Sequence, residues 1–248
     1  MRADASSVAS CYAICMEDIA RAFLTAFRLI LRFDPELAGI VLLSLRVSLS
    51  ATFIASLIGV PLGIVLAIGV FSGRHSAIVF CHALLGLPPV TVGLFVYLLL
   101  SRSGPLGGLG LLFTPAAMIL AQTCLAIPII AALVQRVAAR SWAEYRDEFT
   151  IAGASRFRIG RELLRMDYGA LLTAFLTAFG RLLSEVGAIL VVGGNIRFYT
   201  RTMTTAIALE TNKGDLSFAL ALGLVLILIS LAVSTLAFSL NHLFIEQN

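Results

Sequence analysis

Five long apolar runs dominate this sequence, and each is long enough to cross a lipid bilayer as a helix. The hydrocarbon core of a bilayer is about 30 Å thick, which a helix of roughly 20 apolar residues spans. The runs cover residues 37–71, 77–100, 111–135, 169–194 and 216–241. Charged residues make up only 13% of the chain, about half the share found in soluble domains. We therefore expect an all-α integral membrane protein with about five transmembrane helices.

The prolines within the expected spans include Pro61, Pro115 and Pro128. A membrane helix tolerates proline when neighbouring helices hydrogen-bond the backbone groups that proline leaves free. Each proline therefore indicates either a packing kink or a helix break that lines a pathway, and the sequence leaves both interpretations open. Pro61 is flanked by Gly59 and Gly63, which favours a kink in the first span.

The N-terminal segment, residues 1–36, is more charged than the spans. Within residues 17–32, apolar side chains recur at helical spacing on one face and three arginines lie on another. The apolar face comprises Ile19, Phe23, Phe27 and Ile30. This pattern predicts an amphipathic helix that lies in the membrane interface. The first residues hold no apolar core, so we expect no cleaved signal peptide, and translation from Met1 or Met16 stays open.

A charged stretch, residues 136–168, separates the third span from the fourth. It holds seven arginines, and the positive-inside rule places such a loop in the cytoplasm. With five spans, the N-terminus is then outside and the C-terminus is cytoplasmic. The charge balance favours this orientation only when the N-terminal interfacial segment is left out. The chain thus divides into the N-terminal segment, a transmembrane domain of residues 37–242, and a tail of residues 243–248.

Two short helices are predicted inside the charged stretch. Ser141 and Glu144 form a capping-box pattern, which predicts a helix that starts at Ser141 and ends near Ala152. Gly153 permits a sharp turn that a side chain would resist, and a second helix begins near Ser155. Two helices at an angle are typical of a docking surface for a water-soluble partner, although an ordinary solvated loop has the same pattern.

The residues around this turn resemble the cytoplasmic EAA loop of ABC-importer permeases. The matching positions are Asp147, Glu148, Phe149, Ala152, Gly153, Ala154 and Ser155. Asp147 stands where the family usually has Glu, and Phe149 stands where it usually has Ala. The resemblance implies that residues 136–168 are a coupling loop whose first helix fits a groove on a separate ATPase.

Other segments resemble the oxyanion branch of the same permeases, and together they cover most of residues 37–241. They are residues 43–48 (LSLRVS), 86–93 (GLPPVTVG), 179–188 (FGRLLSEVGA), 194–196 (GNI) and 200–203 (TRTM). Within this branch, residues 98–107 and 205–215 are most similar to tungstate permeases, with molybdate and sulfate permeases as close relatives. The resemblance implies a type I ABC-importer permease that moves an oxyanion into the cytoplasm, with tungstate ranked before molybdate or sulfate.

The sequence contains no G-x-x-x-x-G-K-[ST] loop, the motif that cradles the phosphates of ATP. We therefore expect a transport subunit without its own ATP site, and not an enzyme. Separate ABC ATPase subunits would supply the energy for transport. The resemblance also implies a second copy of this chain and an extracytoplasmic oxyanion-binding protein, at the inner (plasma) membrane. The lipid bilayer surrounds the spans, and we expect no cofactor, no metal site and no nucleic-acid partner.

Charged residues inside a span are costly and are therefore candidates for function. Arg181 and Glu185 lie four residues apart in the fourth span, a spacing at which they can pair along one helix. Such a pair either locks helix packing or forms part of the gate or pathway. Beyond this span, Thr200, Arg201 and Thr202 offer the hydroxyl and guanidinium donors that a tetrahedral oxyanion needs. A solvated loop has the same composition, so both interpretations stay open.

Two other classes of protein remain as alternatives. A secondary transporter driven by an ion gradient would have dispersed acidic residues in its spans or an internal repeat, whereas these spans hold one Glu. A membrane-embedded enzyme would need a metal-spaced cluster or a nucleophile beside a base, and the three histidines are scattered along the chain. Both alternatives rank below the permease.

Overall fold

The computed structural model describes residues 34–245, together with Leu24, Phe27, Arg28 and Leu31. Residues 34–245 form nine α-helices and no β-strand. The helices are α1 (Pro35–Ile68), α2 (Arg74–Ala83), α3 (Pro89–Leu100), α4 (Pro115–Ile151), α5 (Arg156–Met166), α6 (Tyr168–Leu183), α7 (Gly187–Gly193), α8 (Met203–Lys213) and α9 (Leu216–Ile245). The predicted amphipathic helix of residues 17–32 lies outside the described residues, except for the four single positions, which are helical.

Three helices, α1, α4 and α9, are long and apolar enough to cross a membrane singly. Two further crossings consist of bent pairs. In the first pair, α2 continues as a 3₁₀ turn and meets α3 at a bend of 99°. In the second pair, α6 and α7 meet at a bend of 61°. When each bent pair counts as one crossing, the described helices form five spans, which is the number predicted.

The second expected span, residues 77–100, is broken in its middle. Leu87 and Pro88 have extended backbones, with ψ angles of 133° and 122°. A proline pushes the residue before it out of the helical region, and here Pro88 and Pro89 follow one another. The helical conformation therefore stops before these two prolines. α3 begins at Pro89, in the first position of a helix, where the missing N–H of proline breaks no helical hydrogen bond.

The centre of the fold is the contact between α1 and α4. A Cβ added at Gly63 of α1 would come within 2.7 Å of the carbonyl oxygen of Ala131 in α4, and one at Gly59 would come within 3.0 Å of the same helix backbone. Small residues at such positions let membrane helices approach closely. α1 remains a single helix through Pro61, as α4 does through Pro128.

α4 runs without interruption from the membrane into the coupling loop. It has 37 residues, which corresponds to about 55 Å at the usual helical rise and exceeds a bilayer crossing. The predicted helix start at Ser141 is therefore wrong. Ser141 lies inside α4, because neither Gly nor Pro occurs between Gln135 and Ser141 to stop the helix. Its hydroxyl donates instead to Asp167 Oδ1 at 2.8 Å.

The predicted turn and second helix of the coupling loop are confirmed. Gly153 has a φ of 60°, and Ser155 is the N-cap of α5, where its Oγ accepts from the N–H of Arg158 at 3.4 Å. α5 then packs back on the core formed by α1 and α4 through Ile159 and Leu163, which are both buried.

Candidate functional site

The hairpin between α4 and α5 is closed by three backbone hydrogen bonds of 2.9 to 3.1 Å. The donors are the N–H groups of Ala152, Gly153 and Ala154, and the acceptors are the carbonyl groups of Glu148, Thr150 and Phe149. The left-handed conformation at Gly153 is unfavourable for a residue that has a Cβ. Glycine at this position therefore lets the chain reverse direction without strain.

The two faces of this hairpin differ in exposure. Phe149 stacks on Trp142, with ring centroids 6.2 Å apart, and Ala154 packs against the same core. The other matching residues are exposed: Asp147, Glu148, Ala152, Gly153 and Ser155. The most exposed large apolar side chains in the coupling loop are Ile151, at 88%, and Phe157, at 83%. Neither residue was predicted as a candidate from the sequence, although an apolar side chain between charged ones was the available signal.

A half-buried carboxyl group connects α4 with the start of α6. Asp167 Oδ1 accepts from the Ser141 hydroxyl, and Asp167 Oδ2 is buried without a partner. Burial raises the pKa of the Asp167 carboxyl, against the opposing effects of the Ser141 hydrogen bond and of Arg140. The nearby Glu144 carboxylate adds to the rise in pKa.

The expected pair of Arg181 and Glu185 does not form. α6 ends at Leu183, so Glu185 lies beyond the helix and not one turn along it from Arg181. Arg181 donates to the Leu85 carbonyl at 3.2 Å. Glu185 Oε1 accepts from the first two N–H groups of α7, at 2.8 and 3.4 Å. Both side chains line one cavity beside the bend between α2 and α3. Arg181 reaches it from the last turn of α6, and Glu185 reaches it from the break between α6 and α7.

Other helices satisfy the backbone groups that the break after α6 leaves free. Gln122 of α4 donates to the Leu182 carbonyl at 2.9 Å, and Thr204 of α8 donates to the Glu185 carbonyl at 2.8 Å. Gln122 is fully buried, its Nε2 is also 3.4 Å from Ser48 Oγ of α1, and its Oε1 has no partner. Gln122 was not predicted as a candidate from the sequence, where the available signal was an amide side chain in an apolar run.

The loop of residues 195–202, between α7 and α8, is buried at its C-terminal end. Thr200, Arg201 and Thr202 are 0%, 8% and 2% exposed. Thr200 Oγ1 donates to the Gly193 carbonyl at 2.6 Å, and Thr202 caps α8 with its Oγ1 3.0 Å from Thr205 Oγ1. Both hydroxyls are thus used within the chain. Arg201 differs from them, because its buried Nε has no partner.

Arg201 belongs to a cluster of five charged residues, which are Glu36, Arg197, Arg201, Glu210 and Lys213. The shortest ion pairs join Arg197 to Glu36 at 2.6 Å and Lys213 to Glu210 at 2.9 Å. Arg201 lies between the two carboxylates, 3.7 Å from Glu36 and 3.5 Å from Glu210. The glutamate side chains are mostly buried, whereas Arg197 and Lys213 are 60% and 51% exposed.

This cluster and the coupling loop lie at opposite ends of α1. Glu36, in the first turn of α1, binds Arg197, while Ile64, near the last turn, lies against Gly160 of α5. Glu36 and Ile64 are 28 positions apart, which is about 42 Å along the helix axis. That length exceeds the hydrocarbon core of about 30 Å, so the two regions lie on opposite sides of the membrane.

Residues 59–245 match the family of binding-protein-dependent transport system inner membrane components. The chain belongs to this family. The permease is 40% identical over 225 residues to the tungstate uptake system permease protein TupB of Peptoclostridium acidaminophilum, which covers 91% of the chain and 99% of the relative. It is 40% identical over 205 residues to a probable anion ABC transporter permease protein of Haloferax volcanii, covering 81% and 88%. The molybdenum transport system permease protein ModB of Mycobacterium tuberculosis is 29% identical over 199 residues, covering 77% and 75%.

Family membership confirms the class of protein that the coupling loop predicted. The permease is a multi-pass inner-membrane subunit of an ABC transporter, and its family implies ATPase and binding-protein partners. It is a transport subunit, not an enzyme in its own right. Among residues 34–245, no three His, Cys, Asp or Glu side chains are arranged to hold a metal ion.

Proposed function

We propose that the permease is the membrane subunit of an importer for tungstate. The observation that carries this proposal is the 40% identity to TupB over 91% of the chain. A second tungstate uptake permease, from Campylobacter jejuni, is 41% identical over 153 residues. A molybdenum permease and a sulfate permease that also match are 29% and 28% identical. Tungstate therefore ranks first, and molybdate and sulfate are the competitors to test.

The coupling loop is the proposed contact with the ATPase. Its hairpin is held by the turn at Gly153, and its tip exposes Ile151 and Phe157 among charged residues. An exposed apolar patch with a polar rim is typical of a protein–protein contact, and the surrounding charges keep this tip out of the lipid. Ile151 and Phe157 are therefore the proposed anchors in the ATPase groove, with Asp147 and Glu148 on the rim.

Two copies of the permease are proposed to enclose the anion pathway. Arg181 is exposed on α6 within the fourth span, and a guanidinium group at membrane depth avoids lipid in favour of a protein or water-filled surface. A second copy that faces α6 supplies such a surface and places Arg181 on the shared pathway. Glu185 holds the helix break beside it, and Arg201 is the guanidinium donor at the far end of the pathway.

The orientation in the membrane follows from the coupling loop in this proposal. Its seven arginines favour the cytoplasm, where the ATPase is also located. The cluster around Arg201 then faces the extracytoplasmic side, the N-terminus is outside and the C-terminus is cytoplasmic.

Uptake by membrane vesicles tests the proposed function. The permease is produced with candidate ATPase and binding-protein partners, and labelled tungstate is supplied with molybdate or sulfate in excess. We expect uptake that requires ATP and both partners and that resists the two competitors. Uptake without ATP would support the ion-gradient transporter instead, and equal inhibition by molybdate would replace tungstate with a broader oxyanion specificity.

A further inference from the structure

A cavity of about 390 Å³ lies between the end of α1 and the hairpin of α4 and α5. Ile68 and Val70 form its wall at the end of α1, and Trp142, Phe149 and Ile159 form its wall on the hairpin. Its volume is within the range of pockets that hold small ligands, which are mostly lined by apolar and aromatic side chains. The cavity is therefore large enough for a ligand that has an apolar part.

One cation stands at the edge of this cavity. Arg156, the first residue of α5, is exposed, and it alone is charged among the described residues that line the cavity. Within the described part of the chain, its guanidinium group has no ion-pair or hydrogen-bond partner. A guanidinium group offers five N–H donors in a planar fork that fits a phosphate group. The cavity thus combines an apolar space with an unoccupied phosphate-binding group.

The charges near the cavity favour an anion. α5 carries four arginines and one glutamate, and that glutamate, Glu162, pairs with Arg165 at 3.7 Å. The acidic residues near the end of α4, Asp147 and Glu148, are exposed and do not line the cavity. Residues 136–168 as a whole contain seven arginines against five carboxylates. The surroundings of Arg156 therefore attract an anionic ligand.

The end of α1 does not strongly oppose an anion beside it. Carbonyl groups in the last turn of a helix carry a partial negative charge. Arg74 donates from its Nε and Nη2 atoms to the carbonyl groups of Leu66 and Ala67, at 2.8 and 2.6 Å. Its guanidinium group therefore offsets this partial charge next to Ile68.

The cavity lies at the depth of lipid headgroups. Glu36 and Ile68 are 32 positions apart, which is about 48 Å along the helix axis, or about 45 Å across the membrane at the usual tilt of about 20°. A bilayer is about 40–45 Å thick with its headgroups. When Glu36 lies at one aqueous surface, Ile68 therefore lies at the opposite headgroup layer. Trp142 is at the same level, and tryptophan is enriched in this layer.

We propose that this cavity binds an anionic phospholipid from the leaflet on the side of the coupling loop. Arg156 holds the phosphate group, and the apolar walls hold the first part of the acyl chains. A zwitterionic headgroup binds less well, because its own cation competes with Arg156 for the phosphate. The tip residues Ile151 and Phe157 do not line the cavity, so an ATPase on the tip leaves room for the lipid. The bound lipid fastens the hairpin to the end of α1, whichever anion the permease moves.

The fluorescence of Trp142 tests this site directly, because Trp142 lines the cavity and is the single tryptophan of the chain. The full-length permease is placed in phosphatidylcholine nanodiscs with increasing fractions of brominated phosphatidylglycerol or brominated phosphatidylcholine. Bromine quenches a tryptophan only at close range. We expect half-maximal quenching at an about fivefold lower fraction of the phosphatidylglycerol, which is the ratio that one arginine near an anionic headgroup provides.

Arg161 offers a matched control on the same helix. It is also an exposed arginine, but it does not line the cavity, and it lies about 140° around α5 from Arg156. Arg156→Gln should abolish the preference for phosphatidylglycerol, whereas Arg161→Gln, with the same loss of charge, should keep it. Arg156→Lys should keep part of the preference, because an ammonium group still binds phosphate as a point charge. Thermal unfolding of each variant in detergent identifies any loss of folding.

Four outcomes would overturn the lipid site. Equal quenching by the two lipids would remove the preference for an anionic headgroup. Equal loss of the preference in Arg156→Gln and Arg161→Gln would leave only a general attraction to the charged loop. Relief of quenching by soluble glycerol phosphate would assign the cavity to a free phosphate compound.

The fourth outcome concerns the assembled transporter. The emission of a Trp142→Phe complex is subtracted from that of the unmodified permease–ATPase complex, which leaves the signal of Trp142. Absence of quenching there would mean that the ATPase or the second copy covers the cavity. None of these measurements involves tungstate, so failure of the lipid site leaves the proposed function intact. Loss of tungstate uptake with an unchanged lipid preference would remove the proposed function alone.

Discussion

Asp167 accepts one hydrogen bond from Ser141 of α4, and burial opposes the negative charge of its carboxylate. Burial raises its pKa, so the folded permease binds the proton of this carboxyl more tightly than the unfolded chain does. The resulting stabilisation is fully present below the ordinary pKa of an aspartate and is lost as the pH rises through the raised value. At neutral pH, the ionised carboxylate with its unpaired Oδ2 is therefore unfavourable.

The substitution Asp167→Asn tests this effect at the level of one residue. The amide oxygen still accepts from Ser141, and no charge is left to bury. We expect the variant to unfold in detergent at the same or a higher temperature than the original protein at pH 7.5, with the difference disappearing in acid. Ser141→Ala, which removes the donor, should lower the unfolding temperature. A strong loss of stability in Asp167→Asn at neutral pH would mean that the carboxylate has a cationic partner in the folded state.

The helices of the permease depend on a few positions where backbone approach or backbone conformation is restricted. Gly63 brings α1 against the backbone of α4, and Gly153 reverses the chain between α4 and α5. The two glycines act differently, because an added Cβ meets other atoms at Gly63 and meets open space at Gly153. Packing restricts the first position and backbone conformation restricts the second.

Gly63→Ala should weaken the contact between α1 and α4. The new Cβ would lie 2.7 Å from the Ala131 carbonyl oxygen and 2.8 Å from Val134 Cβ, so the helices must separate. Overpacking of this kind typically costs about 1–3 kcal/mol, which thermal unfolding in detergent would register. Gly39→Ala, on the same helix with nothing within 4 Å of the new Cβ, is the control and should be neutral or slightly stabilising.

Gly153→Val should uncouple ATP hydrolysis from transport. A β-branched residue resists a φ of 60°, at a cost of about 1–2 kcal/mol, so the hairpin tip shifts relative to α4. We expect tungstate uptake to fall by about tenfold or more, while the assembled complex still hydrolyses ATP. Gly153→Asn tolerates the same conformation and should keep most of the uptake. Normal uptake by Gly153→Val would remove the coupling role from this turn.

At the level of the whole molecule, the coupling loop and the charged cluster around Arg201 are separated by the length of α1. Glu36 and Ile64 mark the two ends, about 42 Å apart. A crossing of the bilayer by α1 therefore exposes these two regions to different aqueous compartments.

Cysteine labelling in cells tests this arrangement. In a variant lacking the four natural cysteines, Ser103→Cys is exposed in the loop between α3 and α4, and Arg161→Cys is exposed on α5. A membrane-impermeant maleimide should label the first in intact spheroplasts and the second only after permeabilisation. The reverse pattern would invert the proposed orientation and place the coupling loop outside.

Features that depend only on neighbouring residues were predictable from the amino-acid sequence. Run length and composition predicted five crossings, because a bilayer requires a minimum apolar length. Gly153 and Ser155 predicted the turn and the start of α5, since backbone conformation and helix capping are local effects. The residues around that turn also indicated the family to which the permease belongs.

Contacts between side chains that are distant in the sequence depend on how the helices pack. Arg197 pairs with Glu36, 161 positions away, and no local pattern encodes such a contact. Glu185 caps α7 instead of pairing with Arg181, because α6 ends before one further turn forms. Phe149 faces the core while Phe157 faces solvent. In each case, long-range packing sets the position of the side chain, which composition and spacing alone do not determine.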